Sequence, residues 1–152
     1  MKNRMTFISI AVVVLSMLTG MTLIKMGDKQ QADSGSQKLP TIMRLLMQDI
    51  HTINEGIYTQ NFDLIETGAA KINDHAPLSD ESRNLVRETL GERMAQFGEY
   101  DHLVHSRADS IRNAAINRDM GKVLEQYRIV EQGCVNCHAA FQDEIRQARM
   151  KQ

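Results

Sequence analysis

From Leu39 onward the apolar residues recur every three or four positions, and no stretch of useful length alternates apolar with polar. That spacing places side chains on one face of a helix and is incompatible with a half-buried strand. The chain beyond residue 39 is therefore expected to be all-α. Two prolines in the whole sequence and few β-branched runs after residue 40 agree with this.

Four helical segments follow from the periodicity. The first, over about 40–59, carries the stripe Leu39, Met43, Leu46, Met47, Ile50, Ile53 and Ile57. Pro40 suits its first turn. Asn61 can cap a second helix over 62–74, with Phe62, Ile65, Ala69 and Ile72 inward. Pro77 breaks the chain, and Ser79 and Asp80 open a third stretch. Gly91 bends or interrupts it, and its stripe resumes as Met94, Phe97, Asp101, Val104, Ala108, Ile111 and Ala115. Asp119 caps the last helix, whose stripe is Val123, Tyr127, Val130, Cys134, Cys137, Phe141 and Ile145. Amphipathic helices joined by short loops predict an antiparallel four-helix bundle over 39–152.

The N-terminus reads differently. Lys2 and Arg4 precede an uncharged run of 20 residues, Met5 to Ile24, long enough to cross a ~30 Å hydrocarbon core. Basic residues before the run keep that end in the cytoplasm and send the rest across. Segment 1–26 is thus expected to be a hydrophobic helix, serving as an uncleaved membrane anchor or as a cleaved signal peptide. Either way the domain lies on the outer side of the inner membrane, anchored or soluble in the periplasm. Residues 27–38 are polar and rich in Gln, Ser and Gly, which predicts a flexible tether. Setting Lys2 and Arg4 aside leaves 16 bases against 19 acids, so no basic footprint points to nucleic acid.

The chemistry concentrates at the end of the last helix. Only two cysteines occur, and both fall in Cys134-Val135-Asn136-Cys137-His138. A disulfide between them would close too small a loop to stabilise much. Cys-x-x-Cys-His is the spacing of covalent haem attachment. Positions i, i+3 and i+4 share a helical face, so two thiols can add to the two vinyl groups of one porphyrin while the imidazole reaches its iron. Gly133 would let a flat ligand approach. The rival readings are a redox dithiol, which wants a βαβ setting, and half of a zinc site, which wants further ligands. His51, His75, His102 and His105 read as surface or rim histidines. Metal binding, here of haem iron, and a transmembrane helix are both expected features of the chain.

The segment GCVNCHAAF, Gly133 to Phe141, near the end of a four-helix domain resembles the class II cytochromes c, which include cytochrome c′ and its low-spin relatives. The pair Phe62-Asp63 resembles the turn entering that family's second helix. The resemblance implies one covalent haem c, attached through Cys134 and Cys137 with His138 as proximal axial ligand. It implies Met43 as the distal ligand, with Met47 one turn on as its competitor. Tyr127, Phe141 and Met47 would pack the haem, and Arg44 could reach a propionate. Gln142 departs from the family, where a cation commonly follows the aromatic residue. The implied function is one-electron transfer to and from redox partner proteins rather than catalysis, with homodimerisation common in the family. The alternative is a haem protein that binds or senses nitric oxide or carbon monoxide.

Overall fold

The computed structural model describes residues 35–151. Within them the protein is all-helical, as the periodicity requires. Helix α1 spans Leu39–Tyr58, α2 Phe62–Asn73, α3 Asp80–Leu90, α4 Met94–Ile116 and α5 Met120–Met150. A single 3-10 turn, Gly91–Arg93, joins α3 to α4. The third expected segment is therefore two helices. Gly91 takes φ +52°, a left-handed conformation that ends α3 and that side chains rarely adopt.

The helix starts follow the side chains that cap them. Asn61 accepts hydrogen bonds from the Asp63 and Leu64 amides at 3.1 and 3.3 Å. Ser79 accepts from Ser82 at 3.3 Å, and Asp119 from Lys122 at 2.9 Å. Each bond satisfies an amide that the first turn leaves without a partner. The expected tether 27–38 lies mostly outside the described residues. Its last residues are held: the Gln37 amide donates to Pro77 at 2.8 Å, and the Ser79 amide donates to Gln37 at 2.7 Å. Leu39 continues this contact by donating to Ser82 Oγ.

Helix α1 packs on α2, α2 on α4, and α4 on α5, while α3 lies chiefly against α5. The closest crossing is α1 on α2, where Gly56 and Gly68 replace side chains. A Cβ at Gly68 would stand 2.8 Å from the Asp49 carbonyl oxygen and 2.8 Å from Ile53 Cγ1. Only a bare backbone fits there, and nothing in the apolar spacing signals it.

The core forms as two clusters rather than one. The larger gathers Ile53, Ile65, Ile72, Ile111, Val123 and Val130, among others, from α1, α2, α4 and α5. The smaller gathers Val86 and Leu90 of α3 with Phe141 and Ile145 of α5. Helix α5 is the element common to both. The stripe expected on α1 divides accordingly. Its buried line is Ile42, Asp49, Ile53 and Gly56, whereas Met43 and Met47 are 36% and 54% exposed.

The expectation of a membrane-crossing helix is corrected for the described residues: none of their helices is long and apolar enough to cross a membrane. The segment 1–26 to which that expectation was attached lies outside them.

Replacing Gly68 by Ala should cost about 1–3 kcal/mol, because a methyl group there must displace backbone. Replacing Gly98 by Ala, on an exposed turn of α4 where a Cβ meets nothing within 4 Å, should instead add about 0.5–1 kcal/mol. Urea denaturation of the two variants checks both signs.

Candidate functional site

Because α1 and α5 hardly approach each other, an apolar cleft opens between them. Two adjoining cavities of about 280 and 450 Å³ make it up. Met43, Met47, Phe97, Cys137 and His138 line both, so the two adjoin across these side chains. Pockets for small organic ligands commonly measure about 300–1,000 Å³. The first is lined by Leu46, Ile50, Val104 and Cys134. The second extends past Phe141 to Arg44, Arg146 and Arg149.

The sequence motif therefore lands on a cavity wall. Cys134 packs at the border of the larger core cluster and Cys137 at the border of the smaller one. Both thiols are half-buried, and His138 is exposed on the same wall. Burial pushes the Cys134 thiol up from its ordinary value. Cys137 is pushed up to about 11, by burial first and then by Cys134 and Asp101. Thiols raised in this way stay protonated near neutral pH and make poor nucleophiles. A redox dithiol needs the reverse, a thiol lowered enough to attack.

Met43 and Met47 stand on the facing wall, on α1. Phe97 and Tyr100 of α4 form the base. Both meet the Phe141 ring edge-on, with centroids 5.8 and 6.1 Å apart. Arg93 lies over the Phe141 ring at 5.6 Å and pairs with Glu144, which holds that ring at the cleft's margin.

Cys134, Cys137, His138 and Met43 line one cavity. Met47 and Phe141 also line the cleft. Tyr127 does not. It is 8% exposed and packs inside the larger core cluster, away from the cavities. Its place two turns before Cys134 on a long helix carries it beyond the cleft. Gly133 is likewise corrected: a Cβ there would meet Val104 at 3.3 Å and Leu103 at 3.4 Å, so it serves the crossing of α4 on α5. Leu46, Ile50, Phe97 and Val104 are cleft residues that the spacing offers only as core stripe, and Tyr100 lines the cleft outside any predicted stripe. His105 and Asp101, both taken for rim or stripe, also line the cavity.

The expectation of metal binding is corrected for an ion held by clustered side chains alone. Among the described residues no group of three or more His, Cys, Asp or Glu side chains could hold a metal ion. The half-zinc reading of the cysteine pair fails on the same ground. What the wall offers instead is a pair of thiols and one imidazole facing apolar space, which suits a flat organic group carried by the side chains.

Comparison of the chain with protein-family models, with curated proteins and with solved structures returned no match.

Tyr127 provides a pH test of its placement. Burial, then Glu131 with its hydrogen bond, then Tyr58 and Cys134 push the phenol up to about 12, against roughly 10 in an unfolded chain. The folded protein thus favours the neutral form. That contribution is complete below about pH 10 and is lost as pH rises toward about 12. Tyr127→Phe should move the alkaline unfolding midpoint upward, as read by circular dichroism. An unchanged or lowered midpoint would put the phenol in water.

Proposed function

We propose that this chain is a one-electron carrier of the class II cytochrome c kind, with one haem c bound in the α1–α5 cleft. Cys134 and Cys137 would hold it by thioether bonds, His138 would be the proximal axial ligand, and Met43 the distal one. The observation that carries this reading is the cleft itself: both thiols and the imidazole of one helical face look across apolar space at Met43 and Met47.

The residues present fit such a group. The cleft splits an otherwise continuous core, and its α1 wall exposes two methionines that water would not stabilise. With a third to a half of each already exposed, covering the rest of one would contribute roughly 1 kcal/mol. Leu46, Ile50, Phe97, Tyr100 and Val104 would exclude water from the faces of the ring. Arg44, Arg146 and Arg149 line the second cavity, Arg146 paired with Asp143, and the forked donors of a guanidinium suit carboxylates such as propionates. Under this reading α1, α2, α4 and α5 are the four members of the bundle, and α3 is an insertion that covers the second half of α5.

When bound, the haem supplies an iron that exchanges a single electron. The chain's contribution is to hold His138 next to the attachment points, so that the imidazole stays at the iron by tethering. A thioether on the opposite side favours the ferrous form and raises the potential. With His138 and Met43 both holding the group, the chain would leave no place on it for a substrate, and the role would be carrier rather than catalyst. Attachment of this kind belongs outside the cytoplasm, in agreement with the export expected from the N-terminal sequence. The partners would be redox proteins on the periplasmic side.

The mature polypeptide should weigh more than its amino acids by one haem, and its ferric spectrum should be low-spin. Met43→Ala should turn that spectrum high-spin, while Met47→Ala should leave it alone. A Met43→Ala protein that stays low-spin would exclude Met43 as ligand. A high-spin parent would favour the gas-binding alternative. A mass equal to the bare chain would end the haem reading.

A further inference from the structure

One corner of the cleft is polar, and its hydrogen bonds are over-determined. His75, on the link after α2, faces His105 of α4 with their Nε2 atoms 3.2 Å apart. The ring centroids are 5.0 Å apart and the planes tilt by 52°. Each Nδ1 is already engaged. That of His75 lies 2.8 Å from the Ala76 carbonyl oxygen, and that of His105 lies 3.1 Å from Asn73 Oδ1. Both oxygens can only accept, so each Nδ1 carries a hydrogen. Two neutral rings would then aim two bare lone pairs at each other. Two imidazolium rings would aim two N–H groups at each other. One proton between the rings satisfies both nitrogens.

We propose that His75 and His105 bind a single shared proton as an imidazolium–imidazole pair, and that this proton responds to the oxidation state of the haem proposed for the adjoining cleft. The second half rests on the haem reading, and the first half does not.

The surroundings suit one positive charge. On α4, Asp101 Oδ1 lies 3.7 Å from His105 Nε2, and His102 acts on the same ring in the opposite sense. On α1, the carboxylate of Asp49 is only 8% exposed and interacts with His75. On α2, Lys71 bears on Asp49 as well. On α5, Glu131 lines the same cavity as His105. Burial pushes His105 down from the ordinary imidazole range, with Asp101 opposing and His75 and His102 reinforcing.

His105 and Asp101 share the cavity with Cys134, Cys137, His138 and Met43. Oxidation adds a positive charge there, which repels the shared proton. The balance is simple. On reduction one electron arrives from a one-electron donor protein and one proton arrives from water at the His75–His105 pair. On oxidation both leave. Only an N–H bond is made or broken. Reduction is therefore favoured at low pH and opposed as pH rises.

Two measurements on the mature full-length chain test this. Nitrogen-15 NMR of histidine-labelled protein should find both Nδ1 atoms protonated at neutral pH and one proton serving the two Nε2 atoms. If the His105 Nδ1 is bare, the Asn73 amide is turned round, both rings are neutral and the shared proton is excluded. Two rings that titrate independently exclude it equally. The second measurement is the electron-exchange equilibrium with a mediator dye as a function of pH. It should shift at least twofold, and at most tenfold, per pH unit across the pair's titration, and it should be flat in His75→Asn. If that variant does not fold, Asp101→Asn keeps both rings and should move the titration to lower pH. A shared proton seen by NMR with a flat equilibrium in the parent would overturn the coupling alone. A chain that carries no haem would overturn the function proposed above, and the NMR result would still decide the proton.

Discussion

Everything distinctive in this protein depends on one failure of packing: the two core clusters do not merge. Helix α5 runs along both. Its first half closes the larger cluster through Val123 and Val130, and its second half closes the smaller one through Phe141 and Ile145. Between those halves stand Cys134 and Cys137, each at the edge of a different cluster. A continuous core would have buried both thiols. Here α1 is held away from α5, and the gap becomes a cleft walled by apolar side chains. Interiors normally leave few voids larger than a water molecule, because each lost contact weakens the fold. The gap here is instead an open cleft whose walls keep apolar side chains at the surface beside two thiols.

Helix α1 shows how the same feature is written into its neighbour. Gly56 and Gly68 draw α1 tightly onto α2, with no room for even a methyl group. That close crossing fixes which side of α1 is committed to the core. Ile42, Ile53 and Gly56 take that side, and the apolar residues left over, Met43, Leu46, Met47 and Ile50, face the cleft. Leu46 and Ile50 serve both, packing against the larger cluster while lining the cleft, and Met43 and Met47 stand beyond them.

Much of this was legible in the sequence, for identifiable reasons. Helix content follows from the spacing of apolar residues, and the starts at Phe62 and Met120 follow from Asn61 and Asp119, because capping is a local reaction between a side chain and the amides just after it. The motif residues share a face by helix geometry alone. The misreadings all involve neighbours far along the chain. Periodicity puts Tyr127 and Gly133 on the motif's face but cannot say which helix they meet: Tyr127 packs inside the larger core cluster. Gly133 meets Leu103 and Val104 of α4. Gly91 was visible as an interruption, but whether it bends a helix or ends it depends on its positive φ, which no spacing rule encodes. The approach of His75 to His105 spans 30 positions and joins a loop to a helix, so neither residue could signal the other.

The electrostatics of the thiols separates the two chemistries a Cys-x-x-Cys pair can serve. A disulfide oxidoreductase lowers one thiol so that a thiolate exists near neutral pH. The cleft does the opposite, since its apolar walls desolvate both sulfurs and the carboxylate of Asp101 adds to the effect on Cys137. Neutral sulfur atoms in such a wall are stable as thiols and stay compatible with it as thioethers, because neither form carries charge into a low-dielectric space. A thiolate, or a thiolate-bound cation lacking further ligands, would not be. The same wall keeps these cysteines protonated and poor as nucleophiles. It leaves His138 as the exposed group of the motif on the cleft side.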